Sequence, residues 1–143
     1  MNSNQLWVLG HLVTPVETTG DYGFLAIESQ PKVPGPPPHY HEDAAELFYI
    51  IDGVMDVMCN GNWQKLEAGN SLTVPKGAVH TFINNGDVDC KWITAFSPRG
   101  FEKFFVDFGV PVGQKDSFAS SISETCIQEV ISRAADYGMV LKE

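Results

Sequence analysis

The sequence predicts an all-β fold, an antiparallel sandwich or barrel followed by two helices, and three observations predict it. Turn signals recur at short intervals, at Asp52-Gly53, Asn60-Gly61, Ala68-Gly69, Pro75-Lys76-Gly77 and Asn85-Gly86, and Asn-Gly and Asp-Gly accept the positive φ of tight hairpins. Between them, at 47–51, 54–59, 71–74, 79–83 and 88–96, lie short segments rich in β-branched and aromatic residues, a strand spacing typical of sandwiches and barrels. After residue 100 the period changes: Phe101, Phe104, Phe105 and Phe108 recur at i, i+3, i+4 and i+7, one face of a helix.

Taken in order, 6–13 and 22–28 add two strands to these five. Residues 31–38 carry five prolines and read as a stiff loop, in which Pro36-Pro37-Pro38 fix φ on the approach to His39. Gly53, Gly61 and Gly86 are expected to close hairpins. Gly109 and Pro111 stop the phenylalanine helix. A second helix is expected from Ser121, with Glu124 completing a capping box, and presents Ile122, Cys126, Ile127, Val130, Ile131 and Ala134 on one face until Gly138. The phenylalanine face is expected to pack on the sheet.

With 143 residues, 43% of them hydrophobic and 19% charged, the chain is long enough for one buried core and too short for two. One domain spanning 1–143 is expected, its barrel at about 6–97 and its helical segment at about 100–138. Nine Lys and Arg against eighteen Asp and Glu give a net charge of −9, a field that repels nucleic acid and anionic membranes. Residues 6–9 are too short an apolar run for a signal segment, and no run is long enough to span a bilayer, so a cytoplasmic location is expected. Cys59, Cys90 and Cys126 are odd in number and far apart, which implies neither a disulfide framework nor a thiolate metal site.

The chemistry concentrates in three of the four histidines. His39 and His41 are two apart in an extended segment, so both imidazoles project from one face. Glu46 follows His41 by five residues, an odd offset that would put it on the opposite face of an unbroken strand. Residues 42–45 read as a loop that resets the parity. His80 lies on the strand 79–83, just after Gly77, and in a closed sheet that strand could lie beside the H-x-H strand. Three imidazoles and a carboxylate suit a divalent transition metal (Fe, Mn, Co, Ni, Cu or Zn) over Ca or Mg. The alternative is that the histidines are satisfied by hydrogen bonds in a barrel core.

Here a family resemblance becomes specific. His39-Tyr40-His41, four residues to Glu46 and six to Gly53 resemble the first cupin motif, and Gly69, Pro75, Gly77, His80 and Asn84 match the fixed positions of the second. The match covers residues 35–84. It departs at one place: Val33 stands where a leading glycine is expected, with Gly35 two residues later. The resemblance implies a double-stranded β-helix, the cupin jelly-roll barrel, with His39, His41, Glu46 and His80 as ligands to one divalent transition metal per chain. Single-domain size and the segment 100–105 look like the small bacterial quercetin 2,3-dioxygenase-like proteins. His11 falls outside both motifs and reads as an ordinary strand residue.

If Glu46 and His80 point inward, alternation turns Phe48, Ile50 and Phe82 inward with them. Trp92, Thr94 and Phe96 share one face of the last long strand, with no indication of which. These rings either line a substrate pocket or simply fill the barrel. No G-x-S-x-G, P-loop or G-x-G-x-x-G is present. What the resemblance implies is a metal-dependent dioxygenase acting on a small phenolic or enolisable substrate, with dioxygen as co-substrate and Glu46 as catalytic base, a role that needs its pKa raised or its metal bond loosened. A metal-dependent isomerase or lyase and a non-catalytic small-molecule binder are the alternatives. A homodimer is expected, and neither nucleic acid nor membrane is an expected partner.

Overall fold

A computed structural model describes residues 4–142. The strands are β1 (Leu6–Val8), β2 (His11–Val16), β3 (Gly23–Ser29), β4 (His39–His41), β5 (Ala45–Asp52), β6 (Val54–Cys59), β7 (Asn62–Glu67), β8 (Ser71–Val74), β9 (His80–Ile83) and β10 (Cys90–Ser97). Helix α1 (Glu102–Phe108), the short β11 (Val110–Pro111), helices α2 (Ser117–Ser121) and α3 (Glu124–Arg133), a 3₁₀ turn (Ala134–Tyr137) and β12 (Met139–Leu141) follow.

The strands form two antiparallel sheets, ordered β11-β1-β2-β3-β10-β5-β8 and β12-β4-β9-β6-β7. From β4 onward the chain passes repeatedly between them, and this double winding is the double-stranded β-helix. Inward residues of both sheets make the core: Leu25 and Ile27 on β3, Phe48 and Ile50 on β5, Met55 and Val57 on β6, Trp92 and Phe96 on β10 are all buried. Strict alternation of buried and half-exposed positions along β3 is what a strand with one face inside produces.

Several expected turns have a different job. Asn60-Gly61 does close a hairpin, β6 to β7. Gly53 and the 84–89 loop containing Gly86 instead carry the chain from one sheet to the other, β5 to β6 and β9 to β10. The turn chemistry of a hairpin and of a sheet crossing is the same, so spacing alone does not separate them. Similarly, 6–13 is two strands folded at Leu9 and Gly10, both with positive φ.

The helical segment also differs from expectation. It holds three helices, because Ser121 ends α2 and does not start a helix; its hydroxyl is buried, accepting from the Gly10 amide at 3.1 Å. Ser123 is the true N-cap of α3, accepting from the Cys126 amide. Two serines within three residues of an acidic side chain made the capping box ambiguous. The buried stripe is narrower than expected: Val130 and Ala134 are buried, whereas Ile122 and Ile131 stay exposed.

Gly35 takes up the role of the glycine missing at Val33. Its amide donates to the Phe82 carbonyl at 3.1 Å, and a Cβ there would run into that oxygen. The proline loop is thereby pressed onto β9, directly before His39.

Candidate metal centre

Three imidazoles and a carboxylate meet because two strands of one sheet face one strand of the other. On β4, alternation puts His39 and His41 on the inner face, both buried, with Tyr40 directed away. β9 runs beside β4 with His80 opposite His39. The chain then crosses through 42–44 to β5 in the seven-stranded sheet, where Glu46 is buried and faces back across the barrel. A change of sheet accommodates the odd offset between His41 and Glu46. One ligand atom from each of the four residues can be chosen so that all lie within 4.8 Å of one another.

Three of the four groups are held from behind. His39 Nδ1 donates to the Pro37 carbonyl at 2.9 Å, and His80 Nδ1 to the Ala78 carbonyl at 2.9 Å. A carbonyl oxygen only accepts, so these bonds place the proton on Nδ1 and leave Nε2 of a neutral ring with its lone pair toward the centre. Glu46 Oε2 accepts from the Thr94 hydroxyl at 2.8 Å, while Oε1 faces His80 Nε2 at 3.0 Å and His41 Nε2 at 3.1 Å. His41 Nδ1 is buried without a hydrogen-bond partner.

The electrostatics follow from burial and crowding. Burial opposes the charged form of Glu46, but the hydrogen bonds and charges of His41 and His80 outweigh it and hold the carboxyl well below its usual range. Burial, then the neighbouring imidazoles of His80 and His41, push His39 down to about 3. For His80, burial works against protonation, yet the hydrogen bond and charge of Glu46 prevail and raise its pKa.

The donor set fits a metal ion on two counts. With Nδ1 of His80 committed to Ala78, a neutral ring would set its Nε2 lone pair against a carboxylate oxygen at 3.0 Å. Two acceptors at that distance need a proton or a cation between them. Two neighbouring ligands about 2.1 Å from a common ion stand ~3.0 Å apart at a right angle, which is the separation Glu46 Oε1 makes with both imidazoles. The residues His39, His41, Glu46 and His80 could therefore hold a divalent transition metal, of an identity that nitrogen and carboxylate ligands alone do not select.

The four residues border an apolar cavity of about 50 Å³ whose walls include Phe48, Phe82, Trp92 and Phe96. Phe48 stacks on Trp92 with ring centroids 5.0 Å apart. Ile50 is a correction: it points inward and is fully buried, but it lies in the core beyond the cavity wall. Thr94 faces inward with Trp92 and Phe96, a placement that strand alternation left open. Sequence reasoning also missed three rings as cavity wall: Phe101, which precedes α1, and Phe104 and Phe105 on it line the cavity, Phe101 against His41.

His11 lines the same cavity, yet both of its nitrogens are engaged. Nε2 donates to the Pro34 carbonyl at 3.0 Å, and Nδ1 accepts from the Ser29 hydroxyl at 2.8 Å, which in turn accepts from Trp92 Nε1 at 2.9 Å. Burial lowers its pKa and so favours the neutral ring. A second cavity of about 530 Å³, lined by Asp43, Arg99, Lys103, Arg133 and Asp136 among others, shares only His41 and Phe101 with the first.

Comparison with known proteins agrees with the fold. Residues 27–96 match the family model described as a cupin domain. Over these residues the chain is similar to the cupins, and its fold is of that kind. It is 39% identical over 68 residues to germin-like protein subfamily 2 member 1 of Arabidopsis thaliana, covering 44% of this chain and 31% of the relative. It is 30% identical over 102 residues to quercetin 2,3-dioxygenase of Bacillus subtilis, covering 71% of this chain and 30% of the relative. The chain thus spans under a third of the length of these two proteins. Among solved structures, KdgF from Halomonas sp. superposes with a TM-score of 0.59 at 26% identity, over 63% of this chain and 80% of that one. No helix among the described residues is long and apolar enough to cross a membrane.

Proposed function

We propose that this chain is a metal-dependent dioxygenase of small phenolic or enolisable molecules. One observation carries the proposal: Glu46 is a carboxylate clamped at Oε2 by Thr94, with Oε1 turned to two ligand-type imidazoles at the wall of a small, aromatic-lined cavity. Likeness to quercetin 2,3-dioxygenase over 71% of the chain supports it. A metal bound by His39, His41, Glu46 and His80 supplies Lewis acidity and a place for dioxygen chemistry.

The chain's own residues do the rest. Glu46 can accept the hydroxyl proton of the substrate only once Oε1 is released from the metal and from the imidazoles that hold its pKa low, while Thr94 keeps the carboxylate in place through Oε2. Phe48, Phe82, Trp92 and Phe96 exclude water. A cavity holding benzene is on the order of 150 Å³, about three times the 50 Å³ present. A dioxygen-sized molecule fits the inner cavity; the body of an aromatic substrate requires the Phe101 wall to yield, or stays in the outer cavity with its hydroxyl directed in.

The test is oxygen uptake with flavonols and enediol-like substrates on protein loaded separately with Fe, Mn, Co, Ni, Cu or Zn. Consumption of oxygen with any of them supports the proposal; silence across the panel with metal intact overturns it. Turnover under strict anaerobiosis would assign the isomerase or lyase reading instead, and tight binding of a ligand returned unchanged would assign the binder.

A further inference from the structure

The outer cavity, of about 530 Å³, has a chemistry of its own. Its volume is within the range of small-molecule sites, and it meets the inner cavity at His41 and Phe101. Three parts of the chain wall it: 98–107, which leads into α1 and runs along it, 43–44 on the crossing from β4 to β5, and 133–138 ahead of β12. The first and last lie outside the motif-bearing residues 35–84, so the motifs do not decide what this cavity recognises.

A chain of net charge −9 repels small anions over most of its surface. Yet its only two arginines, Arg99 and Arg133, both line this cavity, and Lys103 joins them. Arg99 is pinned: Nη1 donates to the carbonyls of Thr18 and Gly20 at 3.1 and 3.2 Å, and Nε faces Glu102 at 3.4 Å. Arg133 is divided among Glu129, Asp136 and the Phe108 ring. Of the acids in the lining, Asp107 accepts from the Tyr137 hydroxyl at 2.8 Å and Asp136 faces Arg133. Two charges are left over. Lys103, two residues beyond Phe101, has no hydrogen bond or ion pair at its Nζ among the described residues, and neither has the carboxylate of Asp43, which rests against Gly138.

We propose that the outer cavity holds a small organic acid, its carboxylate on Lys103 Nζ beside the fixed charge of Arg99, with Asp43 accepting a hydroxyl or ammonium hydrogen of the same molecule. The inference rests on the dioxygenase reading and narrows its substrate from phenolic or enolisable molecules to phenolic or enolisable acids. Size divides the work: the inner cavity of about 50 Å³ is too small for an aromatic ring, so the body of the acid stays in the outer one and only its reacting hydroxyl passes Phe101. Charge sets the preference. A neutral molecule seated here would strip water from the Lys103 ammonium and return no bond, whereas a carboxylate returns a charge-assisted one. The same local cations draw the acid in against the field of the whole chain.

Calorimetric titration of the purified, zinc-loaded chain with benzoate, 2-hydroxybenzoate and pyruvate, each beside its methyl ester, is the test. At least one acid is expected to bind about tenfold more tightly than its ester, since a hydrogen bond to an ionised group outweighs a neutral one. Lys103→Gln is expected to bring that acid down to the level of its ester and to leave the ester unchanged, while Lys103→Arg keeps most of the preference. Lys65→Gln, an equal loss of charge on β7 and outside the cavity, is expected to alter neither. Acid and ester that bind alike, or no binding by any acid up to about 10 mM, overturn the proposal. So does an acid preference that survives Lys103→Gln, because the carboxylate then sits on the metal and not on Lys103. An acid held through Lys103 without oxygen uptake counts against the dioxygenase reading alone; oxygen uptake with neutral flavonols and no acid preference counts against the acid site alone.

Discussion

The Phe101 ring stands edge-on to His41 with centroids 4.2 Å apart, and these two side chains are what the inner and outer cavities have in common. Phe101 also packs on Phe96, Phe104 and Phe105, so it plugs the barrel and does not hang freely over it. Phe101→Ala should join a space of about 50 Å³ to one of about 530 Å³. A bulky chelator such as EDTA should then strip bound metal faster, by on the order of tenfold, which is about 1.4 kcal/mol off the barrier. The substitution should also cost about 3–5 kcal/mol of stability, so Phe101→Leu serves as a milder plug. Equal stripping rates in wild type and in both variants would remove Phe101 as a barrier.

Metal content tests the four-residue cluster directly. Native protein should hold about one divalent ion per chain, and a His41→Ala, His80→Ala double variant little, because two of four ligands are lost. Elemental analysis after dialysis measures this, and equal metal in both proteins would end the assignment.

Thr94 should matter to the same measurement without touching the ion. Its hydroxyl holds Glu46 Oε2 at 2.8 Å, and groups that orient a ligand are typically worth about 10–100-fold in metal affinity. Thr94→Val should weaken binding by that order and Thr94→Ser should restore most of it, since serine keeps the donor. Titration with a competing chelator reads the difference. If Thr94→Val binds metal as tightly as wild type, the clamp is without effect.

What the sequence made legible was whatever is written in spacing. The two motifs placed His39, His41, Glu46 and His80 together because a barrel offers few other ways to bury them, and strand alternation turned Phe48 and Phe82 inward. Features that depend on which sheet a strand joins were not legible. Gly53 and Gly86 look like hairpin glycines but cross between sheets, and Thr94 shares a parity with Trp92 that has no absolute sense until β10 is paired with β5. The role of Ser121 depends on the Gly10 amide, 111 residues away in sequence. No local pattern encodes such a contact.

His11 separates a structural histidine from a ligand. Both nitrogens are used, one on the Pro34 carbonyl and one on the Ser29 hydroxyl that Trp92 also bonds. His11→Ala leaves Ser29 and the Pro34 carbonyl short of partners in a buried site, at a cost of about 1–3 kcal/mol, plus that of the space vacated. Denaturant unfolding should show this loss while metal content stays at the wild-type level. A variant that lost its metal but kept its stability would make His11 part of the metal site.

Acid should destabilise the metal-free protein in a defined window. His39 has a native pKa of about 3 and an ordinary value of 6.5, and His11 is lowered from 6.5 as well. Below 6.5 the unfolded chain takes up protons at these residues that the native state refuses, so stability falls as pH drops from 6.5 toward 3. Glu46 adds to the loss below its ordinary 4.5, because its native pKa is depressed and protonation breaks its pairing with His41 and His80. His80 has the opposite sign. Its native pKa is raised above 6.5, so its contribution is complete below that value and is lost as pH rises through the native pKa. The urea midpoint of the metal-free protein should therefore be highest near pH 6.5, fall steeply toward pH 4 and decline gently on the alkaline side. Bound metal should raise the midpoint most at neutral pH and progressively less in acid, as protons compete for the same nitrogens. A midpoint that stays flat from pH 6.5 to 4 would mean that these buried groups titrate alike in the folded and unfolded chain.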